Sequence, residues 1–251
     1  MDLGLKDTVY LVTGGTRGLG FAAARELTAD GARVLVTGRS RDSTEAAARR
    51  LGPNAEGMAA DNADPGAAEG LVEAAIARFG HLDGVLISVG GPPAGTTEQA
   101  TDAQWRAAFE SVFLGAVRLA RCAAARLGSG GVIGFVLSTS VAEPIPGLTL
   151  SNGLRPGLAG FAKSLSLELG PRGIRVVGLL PSRIDTDRVR ELDALSGDAD
   201  AARERNCAAI PLGRYGTPEE FGRAAAFLLS PAASYLTGTM LPVDGGAQHR
   251  F

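Results

Sequence analysis

The stretch Thr13-Gly14-Gly15-Thr16-Arg17-Gly18-Leu19-Gly20 has the composition of an anion cradle. Glycines let the backbone take positive φ and let a pyrophosphate approach the main chain, and the free N–H groups of a following helix hold the charge. A glycine-rich turn alone is a weak signal, but its setting here is specific. The apolar run Val9-Tyr10-Leu11-Val12 before it reads as a strand and Phe21 to Ala29 after it as a helix. At the end of the next strand the chain reads Val36-Thr37-Gly38-Arg39-Ser40-Arg41. An NAD site wants an acid there to bond the ribose 2′-hydroxyl; Gly38 offers none. Arg17 and Arg39 instead supply two guanidinium groups, which suit the 2′-phosphate of NADP(H) through charge-assisted hydrogen bonds. The alternative is that both are solvated surface charges.

The elements that position this turn alternate along the whole chain. Arg33 to Thr37, Gly57 to Ala60, Gly84 to Ser88, Val132 to Ser138, Ile174 to Leu180 and Thr239 to Val243 read as further strands. Helices fit Pro65 to Phe79, Asp102 to Leu127, about Pro156 to Leu169, and Pro218 to Leu229. Strands alternating with helices predict an α/β fold, a doubly wound parallel sheet with helices on both faces. Residues 1–251 suit one such domain, with no repeat or linker to divide it. A hydrophobic content of 45% supports a large core, and a formal net charge of −2 without charge runs argues against a nucleic-acid partner. The N-terminus has no secretory pattern and no run is long enough to span a membrane, so a cytoplasmic protein is expected, with Cys122 and Cys207 as free thiols. No metal is expected.

Thr13 to Gly20, Asp61, Leu82-Asp83, Gly170 to Val176, Pro181 with Ile184 and Thr186, Pro211 to Arg214, Pro218 to Glu220, Tyr235 to Gly238, and Val243 to Gly246 follow one another along the chain. In these residues and their spacing the chain resembles the short-chain dehydrogenase/reductase family over nearly its full length. The resemblance implies a Rossmann-type sheet of about seven strands, a nicotinamide cofactor, a small carbonyl or alcohol substrate and a homodimer or homotetramer. The cofactor residues it implies are Gly14, Thr16, Arg17, Gly18, Leu19, Gly20, Arg39, Asp61 (on the adenine amino group), Gly90, Pro181, Ile184 and Thr186.

The same resemblance marks where this chain departs. The family's Tyr-x-x-x-Lys reads Ser151-Asn152-Gly153-Leu154-Arg155, Val112 stands where an Asn is common, and only Ser138, thirteen residues before Ser151, matches the catalytic serine. A serine hydroxyl is a far weaker acid than a tyrosine, whose pKa of about 10 can be tuned toward neutrality. Arg155 keeps positive charge and can polarise a carbonyl or hold an anion, but it cannot relay protons as a lysine can. Pro156 restricts Arg155 toward extended geometry, so the helix is expected to begin near there or be distorted, and Ser151 and Arg155 need not share one face.

Tyr10, Tyr215 and Tyr235 read as packing residues rather than substitutes. Glu143 lies in the loop after strand five, as an acid or base or as a solvated charge. Asp185 and Asp187 read as acids at a helix entry. The polar, Ala-rich segment 187–210 reads as a mobile substrate lid or as an ordinary surface helix. Oxidoreduction with an altered acid system leads; non-redox elimination, isomerisation or cyclisation, and a non-catalytic NADP-binding role, stand as alternatives.

Overall fold

The computed structural model describes residues 1–249. Its strands are β1 (Val9–Val12), β2 (Arg33–Gly38), β3 (Ala55–Ala59), β4 (Gly84–Ile87), β5 (Val132–Val136), β6 (Arg175–Pro181) and β7 (Thr239–Val243). They form one seven-stranded sheet in the order β3-β2-β1-β4-β5-β6-β7, with every pairing parallel. The order reverses between β1 and β4, the crevice where a doubly wound sheet places ligands. The helices are α1 (Gly18–Ala29), α2 (Arg41–Leu51), α3 (Ala67–Phe79), α4 (Asp102–Ala108), α5 (Gly115–Arg126), α6 (Thr149–Leu169), α7 (Asp187–Ala194), α8 (Ala199–Ala208) and α9 (Pro218–Leu229).

Strand periodicity sorts the core into two faces. Val9 and Leu11 of β1 point toward α3, α5 and α6 with Leu71, Leu119, Leu158 and Leu165. Tyr10 and Val12 point the other way, toward α1 and α9 with Leu27, Phe221 and Leu228. Burying each such aliphatic side chain contributes roughly 1.5–3 kcal/mol. The Tyr10 hydroxyl donates to the Leu229 carbonyl (3.0 Å), and burial raises its pKa, which settles its packing role.

Two helices differ from expectation. The segment from Asp102 is one rod only in outline: Phe109–Leu114 form a π-helical turn between α4 and α5, with Val112 buried in it. The helix expected to begin near Pro156 begins at Thr149 and carries Pro156 inside it. Pro156 has no N–H for the Asn152 carbonyl, and such an interior proline costs about 3 kcal/mol or more. The helix survives because its first turns are held from outside. The Thr149 N–H donates to the Gly95 carbonyl, Asn152 exchanges two hydrogen bonds with the Ile145 main chain, and Leu150 and Leu154 are buried.

Candidate functional site

The glycine turn is laced to the ends of its neighbouring strands. Thr13 Oγ1 donates to the Ser88 carbonyl (3.1 Å) and accepts from the Ser88 N–H (3.0 Å), fixing the turn to the end of β4. Gly14 sits at φ 57°, where a Cβ would lie 2.4 Å from the Ser88 oxygen, so only glycine fits. Gly18 also has positive φ (57°), and a Cβ there would face Thr186 Cγ2 at 3.8 Å. The loop after β6 is thereby brought over the turn: Pro181 ends β6, Ile184 is buried, and Thr186 precedes the first turn of α7. Gly20 and Leu19 open α1, and Thr16 lies against Gly38, whose Cβ would sit 2.7 Å from Thr16 Cγ2.

Arg17 and Arg39 are both exposed, and Arg17 stands 4.0 Å from Asp187 across the groove. Asp61 is exposed after β3 and accepts from the Ala63 N–H (2.9 Å). Gly90 is exposed in the loop after β4. A slot walled by backbone, with glycines where a Cβ would intrude and two arginines at its β1 and β2 edge, fits a phosphorylated dinucleotide.

The groups at the other end are held more tightly than the sequence implied. Ser138 begins a 3-10 turn (Thr139–Val141), and its hydroxyl accepts from the Ser140 N–H (3.1 Å). Ser151 is 7% exposed and shares a hydrogen bond with Ser140 (Oγ to Oγ 3.3 Å). Ser140 was not singled out by sequence; its signal was only its place two residues after Ser138. Asn152 was also missed, and its clamp on Ile145 shapes the loop that carries Glu143, which is itself exposed. Gln248, near the C-terminus, donates to the Thr139 carbonyl (3.2 Å) and so braces the same turn.

Arg155 lies on the same helical face as Ser151, one turn on, and both are buried; the expectation that they need not share a face is corrected. Its guanidinium donates to the carbonyls of Val136 (2.5 Å), at the end of β5, and Val89 (3.3 Å), after β4. Nε is buried without a hydrogen-bond partner. Burial pulls this group down to about 10, because no acid compensates the lost hydration. Two arms are therefore spent on the main chain, and Arg155 ties the end of β4 to the end of β5, on one side of the crevice. Val112, in the family's Asn position, packs with Ala108, Leu150 and Leu154 as an apolar plug beside α6.

Segment 187–210 forms α7 and α8, pinned from beneath. Asp193, 5% exposed, accepts from Tyr215 Oη (3.0 Å), Arg183 (3.1 Å) and Asn206 (3.1 Å). Burial and then the Asp193 carboxylate push the Tyr215 phenol up. Asp185 is held low, first by its hydrogen bond to Arg203, and Asp187 sits in the first turn of α7, as expected. Arg188 crosses from α7 to the Pro92 carbonyl (2.6 Å), joining this segment to the loop after β4. Tyr235 is fully exposed and His81 pairs with Asp83 before β4, so neither reaches the crevice. Both cysteines are free. No helix among the described residues is long and apolar enough to cross a membrane.

Comparison with known proteins agrees with this architecture. Residues 14–248 match the family model described as enoyl-(acyl carrier protein) reductase. The chain is 34% identical over 251 residues to the short-chain reductase protein NovJ of Streptomyces niveus, covering 96% of this chain and 94% of that protein. It is 33% identical over 250 residues to the 3-oxoacyl-(acyl-carrier-protein) reductase FabG of Escherichia coli, covering 95% and 96%. Among solved structures, L-sorbose reductase from Gluconobacter frateurii, complexed with NADPH and L-sorbose, superimposes with a TM-score of 0.92 at 29% identity, covering 100% of both chains. A short-chain dehydrogenase from Burkholderia cenocepacia in complex with NADP gives 0.89 at 32%, covering 97% and 99%. The glycine turn bound to the end of β4, the seven parallel strands and the full-length matches agree: this chain belongs to the short-chain dehydrogenase/reductase family of oxidoreductases.

Proposed function

We propose that this protein is an NADP(H)-dependent oxidoreductase that interconverts a small carbonyl compound and its alcohol without a tyrosine acid. The observation that carries the reading is the pairing of an intact cradle, with Arg17 and Arg39 beside the acid-free Gly38, with the hydroxyl cluster Ser138, Ser140 and Ser151. Gly14, Thr16, Gly18, Leu19, Gly20, Asp61, Gly90, Pro181, Ile184 and Thr186 would line the cofactor's path. When bound, the reduced nicotinamide supplies a hydride to the carbonyl carbon.

The chain's own part is electrostatic. With the Ser140 N–H bonded to its oxygen, Ser138 has its proton to offer, and Ser151 is oriented by Ser140; the two hydroxyls stabilise the oxygen as negative charge develops. Neither hydroxyl is a tuned acid, so the alkoxide takes its proton from solvent, where buffer acids replenish it. Arg155 acts as a positioning residue, fixing the ends of β4 and β5 and adding positive potential, while Glu143 stands at the rim as a carboxylate in the loop after β5. Segment 187–210 is the substrate lid, and the protein works in the cytoplasm as a homodimer or homotetramer.

One observation favours a second reading, a cofactor-binding protein without hydride transfer: the arms of Arg155 are spent on carbonyls and Ser151 is nearly sealed. Incubation with NADPH and a panel of carbonyl compounds separates the two. Loss of NADPH with formation of alcohol supports the first; binding of NADPH with no conversion supports the second, and conversion without net NADPH loss would place the protein among non-redox enzymes.

A further inference from the structure

The walls of the site continue outward into a second space. The loop that runs on from Val89 and Pro92, the first residues of α6 just before Ser151, and the end of the α7 segment enclose a half-open cavity of about 580 Å³. Ser138, Ser151 and Arg155 are not in its wall, so it accommodates the part of a substrate that does not react. The loop and helix are zipped together beside it: the Gly95 N–H donates to the Gly147 carbonyl (2.7 Å) and the Thr149 N–H to the Gly95 carbonyl (3.3 Å).

The lining has an unusual chemistry for a protein in which 21% of residues are charged: it includes no ionisable group. Thr96, Gln99, Gln104 and Thr149 supply polarity, and Leu150 and Leu195 are among its apolar members. Gln99 Oε1 accepts from the Thr96 N–H (2.9 Å) and Gln104 Oε1 from the Thr101 N–H (2.9 Å). The carboxamide acceptors are thus occupied within the protein, and their N–H groups remain as donors for a ligand oxygen.

Resting on the reductase reading, we infer that the substrate is an uncharged, hydroxyl-bearing carbonyl compound whose hydroxyls occupy this cavity. A carboxylate or phosphate would shed its hydration here without a cation to replace it. A purely apolar ketone would cover the donors of the half-buried Gln104 amide without pairing them, at about 1–3 kcal/mol. The cavity disfavours both, and its size falls in the range of roughly 300–1,000 Å³ typical of small-ligand sites.

Ligand-detected NMR titrations, with and without NADPH, of three six-carbon probes test this: a neutral ketohexose, 2-oxohexanoate and 2-hexanone. The ketohexose is expected to bind at least about 10-fold more tightly than either other probe, the equivalent of one such unpaired group. Leu195→Arg, at an exposed position of the wall, is expected to tighten 2-oxohexanoate about 10-fold by supplying the missing cation. Equal or tighter binding of the keto acid or of hexanone to the unaltered protein overturns the inference, and so does failure of all three to bind. Parallel turnover assays keep the two readings apart. A ketohexose preference without NADPH oxidation removes the reductase reading and keeps the cavity's class; NADPH oxidation with the keto acid preferred does the reverse.

Discussion

Replacing Arg155 by lysine converts a fixed charge into a titratable one at the same buried position. Burial brings the guanidinium to about 10, roughly 2.5 decades in proton affinity below its ordinary value. The same loss of hydration acting on a lysine, which ordinarily titrates near 10.4, brings it to about 8. The sign for stability follows. The ammonium form is penalised on folding at every pH below about 8, by about 3 kcal/mol, and the penalty fades as pH rises from about 8 to 10.4. The parent guanidinium carries the same penalty at pH 7, so the loss of stability expected there comes from the missing bonds to the Val136 and Val89 carbonyls; Arg155→Lys should then gain on the parent as pH rises to about 9.5, seen as a narrowing difference in Tm. The chain has only two native lysines, Lys6 and Lys163, both exposed, so lysine labelled with carbon-13 at Cε adds a single new resonance in the variant. A new resonance with a midpoint below 9 supports the buried placement. A midpoint at the ordinary lysine value would refute the claim that this position is desolvated and without a compensating acid.

Other outcomes follow from the same geometry. Arg39→Ala should weaken NADPH binding about 10-fold by calorimetry while leaving NADH nearly unaffected, since only the former carries the 2′-phosphate. Ser138→Ala and Ser151→Ala should each lower turnover by about 10²-fold, as for loss of an oxyanion donor, with NADPH affinity unchanged within a few fold. Asp193→Ala should destabilise the protein by about 2–4 kcal/mol and raise hydrogen exchange first in α7 and α8, because three donors lose their buried acceptor. Gly153→Ala places a Cβ 2.6 Å from the ring of Trp105, the sole tryptophan, and should shift its fluorescence.

The parts of the fold that were legible in sequence are those decided locally. β1, β7 and α9 occur within the expected bounds, since short apolar runs set the first two and Pro218 after the Thr217 capping box starts the third. The parts that were not legible depend on distant partners. Nothing near Pro156 announces that Gly95 and Ile145 will hold the preceding turns helical, and nothing in Phe109 to Leu114 announces a wider turn. The glycine cradle could be read because positive φ and close approach restrict residue type directly. The fate of Arg155 could not, since its acceptors are main-chain carbonyls, which every residue carries.

The Asp193 cluster separates two tasks that a flexible cover would have to combine. Its bonds to Arg183, Asn206 and Tyr215 lie on the inner side of α7 and α8, whereas Glu191 and Leu195 are exposed. Anchorage is thus invested in four inward residues, and the outward ones are free to drift in sequence without loosening the whole. In the proposed role of a substrate lid, that makes the segment evolvable: a lineage can revise which molecule it admits by altering Leu195 and its neighbours while the attachment beneath stays constant.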